Sequence, residues 1–371
     1  MEISWRSVVA RRMRRHHLAG NPAPSAADAV RAVCGAHAQV LSAGEVSVAI
    51  RLDGATRETV QQAEGLVKTF GPRGTVHLLP LDDLPLWTGA LSALPAGTPV
   101  PEPMRLRPEQ RLEVIAAIGD ALADDDLTVD ELTVEVVRRT GSWAGDLVMP
   151  AFQTYWPRWR QLIPDAATAG VLCYGPNRGR LTTYSNPHRF KPFEPLPADK
   201  AFTELLHRYL YAYGPATPQQ FARWLSTSVA FVKPYFADLP PVELAGQPAC
   251  LAPGDDQFTD EPVRGVRLLP YFDAYGVGSF PRELLFPGKA FTRALARGQA
   301  GNYPLLLVDG VVAGVWHQKK SGRKLHVTVE ALTPLSRARV GLLEAEVDRL
   351  AAILRCTPSL TLGDVAVGPH A

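Results

Sequence analysis

The chain has 371 residues, 46% of them hydrophobic and 20% charged, enough for roughly two or three domains with a substantial core. No apolar stretch approaches the roughly 18 residues of a membrane span, no signal-type apolar run follows the N-terminal arginines, and the cysteines at 34, 173, 250 and 356 lack zinc or redox spacing. These features argue against a helical membrane protein and a zinc finger and point to a soluble, cytoplasmic chain with reduced thiols, Cys34 and Cys173 being read as core residues; the formal net charge of +2 identifies no partner by itself.

In chain order, residues 4–18 read as a basic amphipathic helix, ended by Asn21-Pro22-Ala23-Pro24. Ser25 caps a helix with Ala29, Val30, Val33 and Cys34 at helical spacing. The loop from Gly35 to Leu41 follows, then Ser42-Ala43-Gly44-Glu45 reads as a capping box opening another helix. A helix over 56–63 leads to a hairpin, Leu66 to Phe70 and Thr75 to Leu79, around Gly71-Pro72-Arg73-Gly74. The stretch 93–108 is a proline-rich linker.

The order then recurs. A helix over 107–123 is followed by the capping box Thr128-Val129-Asp130-Glu131, which opens a helix with Val129, Leu132, Val136 and Val137 on one face. A third helix is expected over 144–163. A hairpin then joins Val171–Tyr174 to Leu181–Tyr184 around Gly175-Pro176-Asn177-Arg178-Gly179. The third round has a helix over 201–213, Thr217-Pro218-Gln219-Gln220 as a capping box with proline in the first turn, a helix near 228–236 and strands at 241–245 and 248–252. Three helices followed by a hairpin is the order of a winged helix, and the two similar hairpin tips argue for an internal repeat. From residue 263 the pattern changes to strands at Val266–Pro270, Pro304–Val308, Val311–His317 and Lys324–Val329, with Asp309-Gly310 as a tight turn and a closing helix over 336–355. The expected architecture is α+β: three tandem winged-helix modules (1–92 with the N-terminal helix, 107–195 and 198–255) and a C-terminal β-barrel-like domain over 263–371.

Charge is unevenly distributed. Residues 1–20 carry Arg6, Arg11, Arg12, Arg14 and Arg15 against Glu2 alone; residues 171–193 carry Arg178, Arg180, Arg189 and Lys191 with no acid; residues 317–326 carry Lys319, Lys320, Arg323 and Lys324 with no acid. The acids gather at Asp120, Asp124, Asp125 and Asp126 and at Asp255, Asp256, Asp260 and Glu261. Segregation of this kind can build a basic face on a nearly neutral protein. Winged helices bind DNA by default, though they also serve as protein scaffolds. Double-stranded DNA is the expected partner, with Arg12, Arg15, Arg73, Arg178, Arg180, Lys319, Lys320 and Arg323 as phosphate contacts. No obligate protein partner is expected.

Familiar catalytic patterns are absent: no Walker A sequence, no Gly-x-Ser-x-Gly, no His-Glu-x-x-His. His16 and His17 are adjacent, a poor geometry for chelating one metal. The loop 35–41 carries His37 and Gln39 two residues apart, so a locally extended backbone puts both on one side, where they can grip a water molecule. Residue type alone favours the plainer reading there, a structural histidine and a polar loop residue.

The segments Arg73-Gly74-Thr75-Val76-His77-Leu78-Leu79, Leu172-Cys173-Tyr174-Gly175-Pro176, Arg208-Tyr209-Leu210, Tyr213-Gly214-Pro215-Ala216-Thr217, Leu268-Leu269-Pro270-Tyr271-Phe272-Asp273 and Val308-Asp309-Gly310 resemble the AlkZ/YcaQ-like family of winged-helix DNA glycosylases over nearly the whole chain. That family carries Gln-x-Gln or Gln-x-Asp in its first module. Here the motif is His37-Ala38-Gln39, which resembles the histidine-bearing branch tied to self-resistance against trioxacarcin-type antibiotics, compounds that alkylate guanine at N7. The resemblance implies hydrolysis of the N-glycosidic bond of bulky N7-alkylguanine in duplex DNA, with His37 and Gln39 catalytic and neither metal nor cofactor involved. His37 is left as either a general base or a water orienter. No lysine lies beside the pair, so an abasic product without a Schiff-base lyase step is expected. The alternative is a non-enzymatic winged-helix regulator or adduct-sequestering protein.

Overall fold

The computed structural model describes residues 1–369 except 96, 98, 99 and 260; Asp260 and part of the proline-rich linker thus lie outside the described residues. The chain divides into two compact units, Met1–Leu66 with Leu206–Ala371, and Val67–Leu205.

The first unit is built from both ends of the chain. Helix α1 (Trp5–Arg15) is capped by Ser4, whose hydroxyl accepts from the Ser7 N–H at 3.1 Å. The expected basic amphipathic helix forms, with Val8, Val9, Ala10 and Met13 buried, but Arg11 and Arg12 are buried with them instead of lying on a basic outer face. Helix α2 (Ala26–Ala32) is capped by Ser25, and α3 (Leu41–Ala49) follows the His37 loop. The capping box read at Ser42 does not form. The helix begins two residues earlier, with Val40 in place of Ser42 at the cap position and no side-chain cap. Glu45 is buried instead, accepting from Arg57 Nε at 2.7 Å and Gln61 Nε2 at 2.9 Å. A guanidinium outcompetes a cap N–H for that carboxylate.

Further along, Thr217 and Gln220 form the expected capping box of the helix Pro218–Leu225. The strands Pro241–Leu244 and Gln247–Cys250 pair antiparallel. The N-terminal strand Glu2–Ile3 adds in parallel to Pro241–Leu244, a pairing too short and too distant to read from sequence. The C-terminal sheet has five strands in linear order: Val266–Leu269, Leu305–Val308, Val311–Ser321, Lys324–Ala331 and Thr357–Leu362. All neighbours are antiparallel except the last pair, which is parallel. The helix Arg337–Ile353 makes that crossover and packs on the first and last strands. The sheet is therefore open, not a closed barrel. Its fifth strand lies beyond the helix taken from sequence as the end of the domain.

The second unit centres on Val114, Ile118, Leu122, Leu132, Val136, Trp159 and Leu162. Its helices Pro108–Ala121 and Val129–Thr140 agree with the periodicity, and Thr128 with Glu131 forms the expected capping box. The helix Leu84–Ser92 has no counterpart in the sequence reading. The helix expected over 144–163 is replaced by a hairpin, Leu147–Pro150 with Tyr155–Pro157, and a short 3-10 segment, Arg158–Leu162. Pro150 and Pro157 cannot donate and clash with a preceding helical turn, which breaks the pattern. The whole is a mixed α+β fold.

Buried beside α1, His16 is wholly enclosed and edge-on to Tyr213 and Tyr275. Burial, with the nearby Arg51 charge next, pushes its imidazole down to about 3. The ring is therefore neutral at pH 7, and its Nε2 bonds the Ala212 carbonyl at 3.0 Å. A folded-state pKa below the unfolded value of 6.5 means that the unfolded chain binds the proton better. Stability therefore declines as pH falls from 6.5 toward 3, by up to about 1.4 kcal/mol per pH unit from this group. Urea midpoints measured between pH 7 and pH 4 will show that decline in the native chain and a shallower one in His16→Phe.

Candidate functional site

The His37 loop is shaped by the end of α2. Cys34 and Gly35 take positive φ, 52° and 96°. The Gly35 N–H closes back on the Val30 carbonyl at 3.0 Å, which turns the chain sharply out of the helix. The next residues are extended, with Ala36–His37 in strand conformation. Ala36 and Ala38 are buried at 1% exposure each, while His37 is half-buried and Gln39 exposed. That alternation in exposure follows the period of two of an extended backbone, with the alanines anchoring the segment, though His37 Nδ1 is itself enclosed.

Helix α3 backs this segment at very close range. A Cβ on Gly44 would sit 2.7 Å from the His37 carbonyl oxygen and 3.5 Å from Ala38 Cβ. Only glycine permits that approach.

The His37 imidazole stacks on Phe272, with centroids 4.7 Å apart and planes inclined by 25°. Phe272 is itself held at φ 56°, a left-handed conformation that costs a bulky residue about 1–3 kcal/mol and persists only where the surroundings impose it. The imposing group is adjacent. Asp273 is buried and receives Arg51 through two bonds of 2.8 and 2.9 Å, the Ser47 hydroxyl at 2.6 Å and the Tyr275 N–H at 3.0 Å. Arg51 Nη1 also donates to the Ser47 carbonyl at 2.5 Å. Burial pushes the Asp273 carboxyl upward, but the Arg51 charge and these hydrogen bonds outweigh it and hold the group below its ordinary value. Ser47 lies in α3 and Arg51 just beyond it, so one polar cluster fixes both α3 and the Phe272 segment. Sequence reasoning assigned no role to Gly44, Ser47, Arg51, Phe272 or Asp273; the only signal was that Phe272 and Asp273 fell in a family-like segment.

The residues read as DNA contacts fall into four groups. Arg12 is buried at 1% exposure and donates to the carbonyls of Phe280 (2.7 Å) and Pro215 (3.3 Å), so it belongs to the core and is removed from the contact set. Arg15 is committed to Asp255 at 2.6 and 2.9 Å and stacks on Tyr211. In the second unit Arg178 is exposed but paired with Glu131 at 2.8 Å, Arg180 is exposed, and Arg73 sits half-buried in its turn at φ 62°. Arg189 meets Asp126 and Lys191 meets Asp82, so part of the charge segregation seen in sequence cancels in space. Lys319, Lys320 and Arg323 are all exposed on one hairpin, where Lys320 faces Leu325 and Ser321 faces Lys324. Among the described residues no group of three or more His, Cys, Asp or Glu is placed to hold a metal ion, and no helix is long and apolar enough to cross a membrane.

A family model described as DNA glycosylase AlkZ-like matches residues 30–353. The chain belongs to the AlkZ-like DNA glycosylase family. It is 33% identical over 349 residues to an interstrand DNA cross-link repair glycosylase of Streptomyces sahachiroi, covering 85% of this chain and 88% of that one. The solved structure of the Streptomyces sahachiroi DNA glycosylase AlkZ superposes with a TM-score of 0.82 and 30% identity, covering 98% of this chain and 100% of that chain. Within this AlkZ-like chain, the Arg51–Asp273 pair is the polar contact that a single substitution exposes most clearly. Asp273→Asn leaves the Arg51 guanidinium buried without its counter-charge, and urea unfolding should show a loss of about 3–5 kcal/mol.

Proposed function

We propose that this AlkZ-like chain is a monofunctional DNA glycosylase that hydrolyses the N-glycosidic bond of bulky N7-alkylguanine, of the trioxacarcin type, and leaves an abasic site. The observation that carries the reading is the alternation at 36–39, which buries two alanines and leaves His37 half-buried and Gln39 exposed. The histidine in place of the family's first glutamine supports the antibiotic self-resistance branch; a role in base excision repair uses the same chemistry. The relative named for interstrand cross-link repair supports alkylated DNA as the substrate class. In this reading, the runs of helices followed by hairpins are winged-helix modules, divided at 1–92, 107–195 and 198–255, with 263–371 completing a cytoplasmic monomer.

Alkylation at N7 makes the guanine a cationic leaving group, so departure needs no acid to protonate the base. As the C1′–N9 bond breaks, its electron pair goes to the purine and the sugar becomes oxocarbenium-like. The Gln39 carboxamide holds a water at C1′. As the water oxygen bonds to C1′, the His37 imidazole accepts its proton. The expected effect is that His37→Ala and Gln39→Ala each slow single-turnover release of the modified base by about 100-fold or more while binding adducted duplex within a few-fold of the native chain. Unchanged release in both variants refutes the assignment. Tight binding with no release by the native protein favours a regulator or a sequestering protein.

Exposed basic side chains on the 311–331 hairpin are proposed to contact phosphates, with Arg178, Arg180 and Arg73 as further contacts and Arg15 only after release from Asp255. Replacing Lys319, Lys320 and Arg323 together by alanine should flatten the slope of log affinity against log salt by about 0.9 for each phosphate that is no longer neutralised. Fluorescence anisotropy across a salt series measures this, and an unchanged slope removes the hairpin from the interface.

A further inference from the structure

We infer that Phe272 is a positioning residue for His37: its ring is a shelf that sets the plane of the imidazole, held in place by backbone contacts independent of the loop that carries the histidine. The inference rests on the functional reading of His37 given above.

Three observations support it. The two rings are stacked, with centroids 4.7 Å apart and planes inclined by only 25°, so the phenyl ring fixes the plane of the imidazole. Phe272 holds a left-handed backbone conformation, unfavourable for a phenylalanine, which aims its ring at that spot. The surroundings are also built around it. The Phe272 N–H donates to the Gly301 carbonyl at 2.8 Å, and Gly301, at φ 109°, has no room for a side chain, since a Cβ there would lie 2.8 Å from Phe272 Cδ1 and 3.0 Å from Val277 Cγ2. On the other side Asp273 is pinned by Arg51 and Ser47. A core aromatic would need neither the strained backbone nor a glycine opposite its ring. Rotamer-locked support of this kind is what a reacting group needs, because displacements of about 1 Å can cost about 100-fold in rate.

The test uses the full chain with histidine ring resonances observed by NMR, His37 being assigned by its loss in His37→Gln. In the native protein the His37 ring protons should be shifted upfield by the Phe272 ring current. In Phe272→Leu that shift should collapse, and single-turnover release from an N7-alkylguanine duplex should fall by about 10- to 100-fold, with DNA affinity held within a few-fold. Phe272→Tyr keeps the ring and should retain both the upfield shift and most of the rate. Gly301→Ala, which displaces Phe272 without touching His37, should move both readouts in the same direction as Phe272→Leu. The inference is overturned if folded Phe272→Leu releases the base at the native rate, or if its His37 resonances stay in place. Failure of the native protein to release any base overturns the functional reading and this inference with it, an outcome distinct from normal release by Phe272→Leu.

Discussion

The buried ion pair between Arg51 and Asp273 is the constraint on which the site depends. It joins positions 222 residues apart in sequence, each almost wholly excluded from solvent. Such a pair is costly unless most of its remaining hydrogen-bonding capacity is met. Here Ser47 and the Tyr275 N–H complete the carboxylate and the Ser47 carbonyl takes an arginine N–H, while Arg51 Nε is left buried without a partner. The pair fixes the C-terminal end of α3 against the segment that begins the short helix Ala274–Gly278. Earlier in α3, Gly44 presses on the His37 carbonyl; one residue before Asp273, Phe272 presses on the His37 ring. The histidine is thus gripped at backbone and side chain by elements referenced to one polar cluster.

Gln39 is held differently. It is exposed, and its position comes from the alternation that buries Ala36 and Ala38. In the proposed reading, the stacked imidazole receives the proton of a water that the exposed carboxamide holds.

What sequence could reveal follows from the range of each interaction. The caps at Thr128–Glu131 and Thr217–Gln220 were legible because both partners lie within one helical turn. The Ser42–Glu45 box obeyed the same rule and failed, because Arg57 and Gln61 claim Glu45. The helix expected over 144–163 failed on local grounds that were present in the sequence, Pro150 and Pro157. The strands Glu2–Ile3 and Thr357–Leu362 depend on parallel partners distant in sequence and have no local signature. Arg12 shows the limit of charge counting: a cation in a basic run can serve core carbonyls as readily as a phosphate. The His37–Gln39 pair was visible as a spacing, whereas its support could not be, since Phe272 and Asp273 reach it only through the folded chain.

The most direct measurement is the product itself. A duplex carrying one N7-alkylguanine is incubated with the protein, a parallel sample receives cyanoborohydride to trap any Schiff base, and everything released or trapped is weighed by mass spectrometry. The account predicts free modified guanine and an unbroken strand with a single abasic sugar. An intact adduct at the end of the incubation, or a protein–DNA conjugate in place of the free abasic strand, would contradict it.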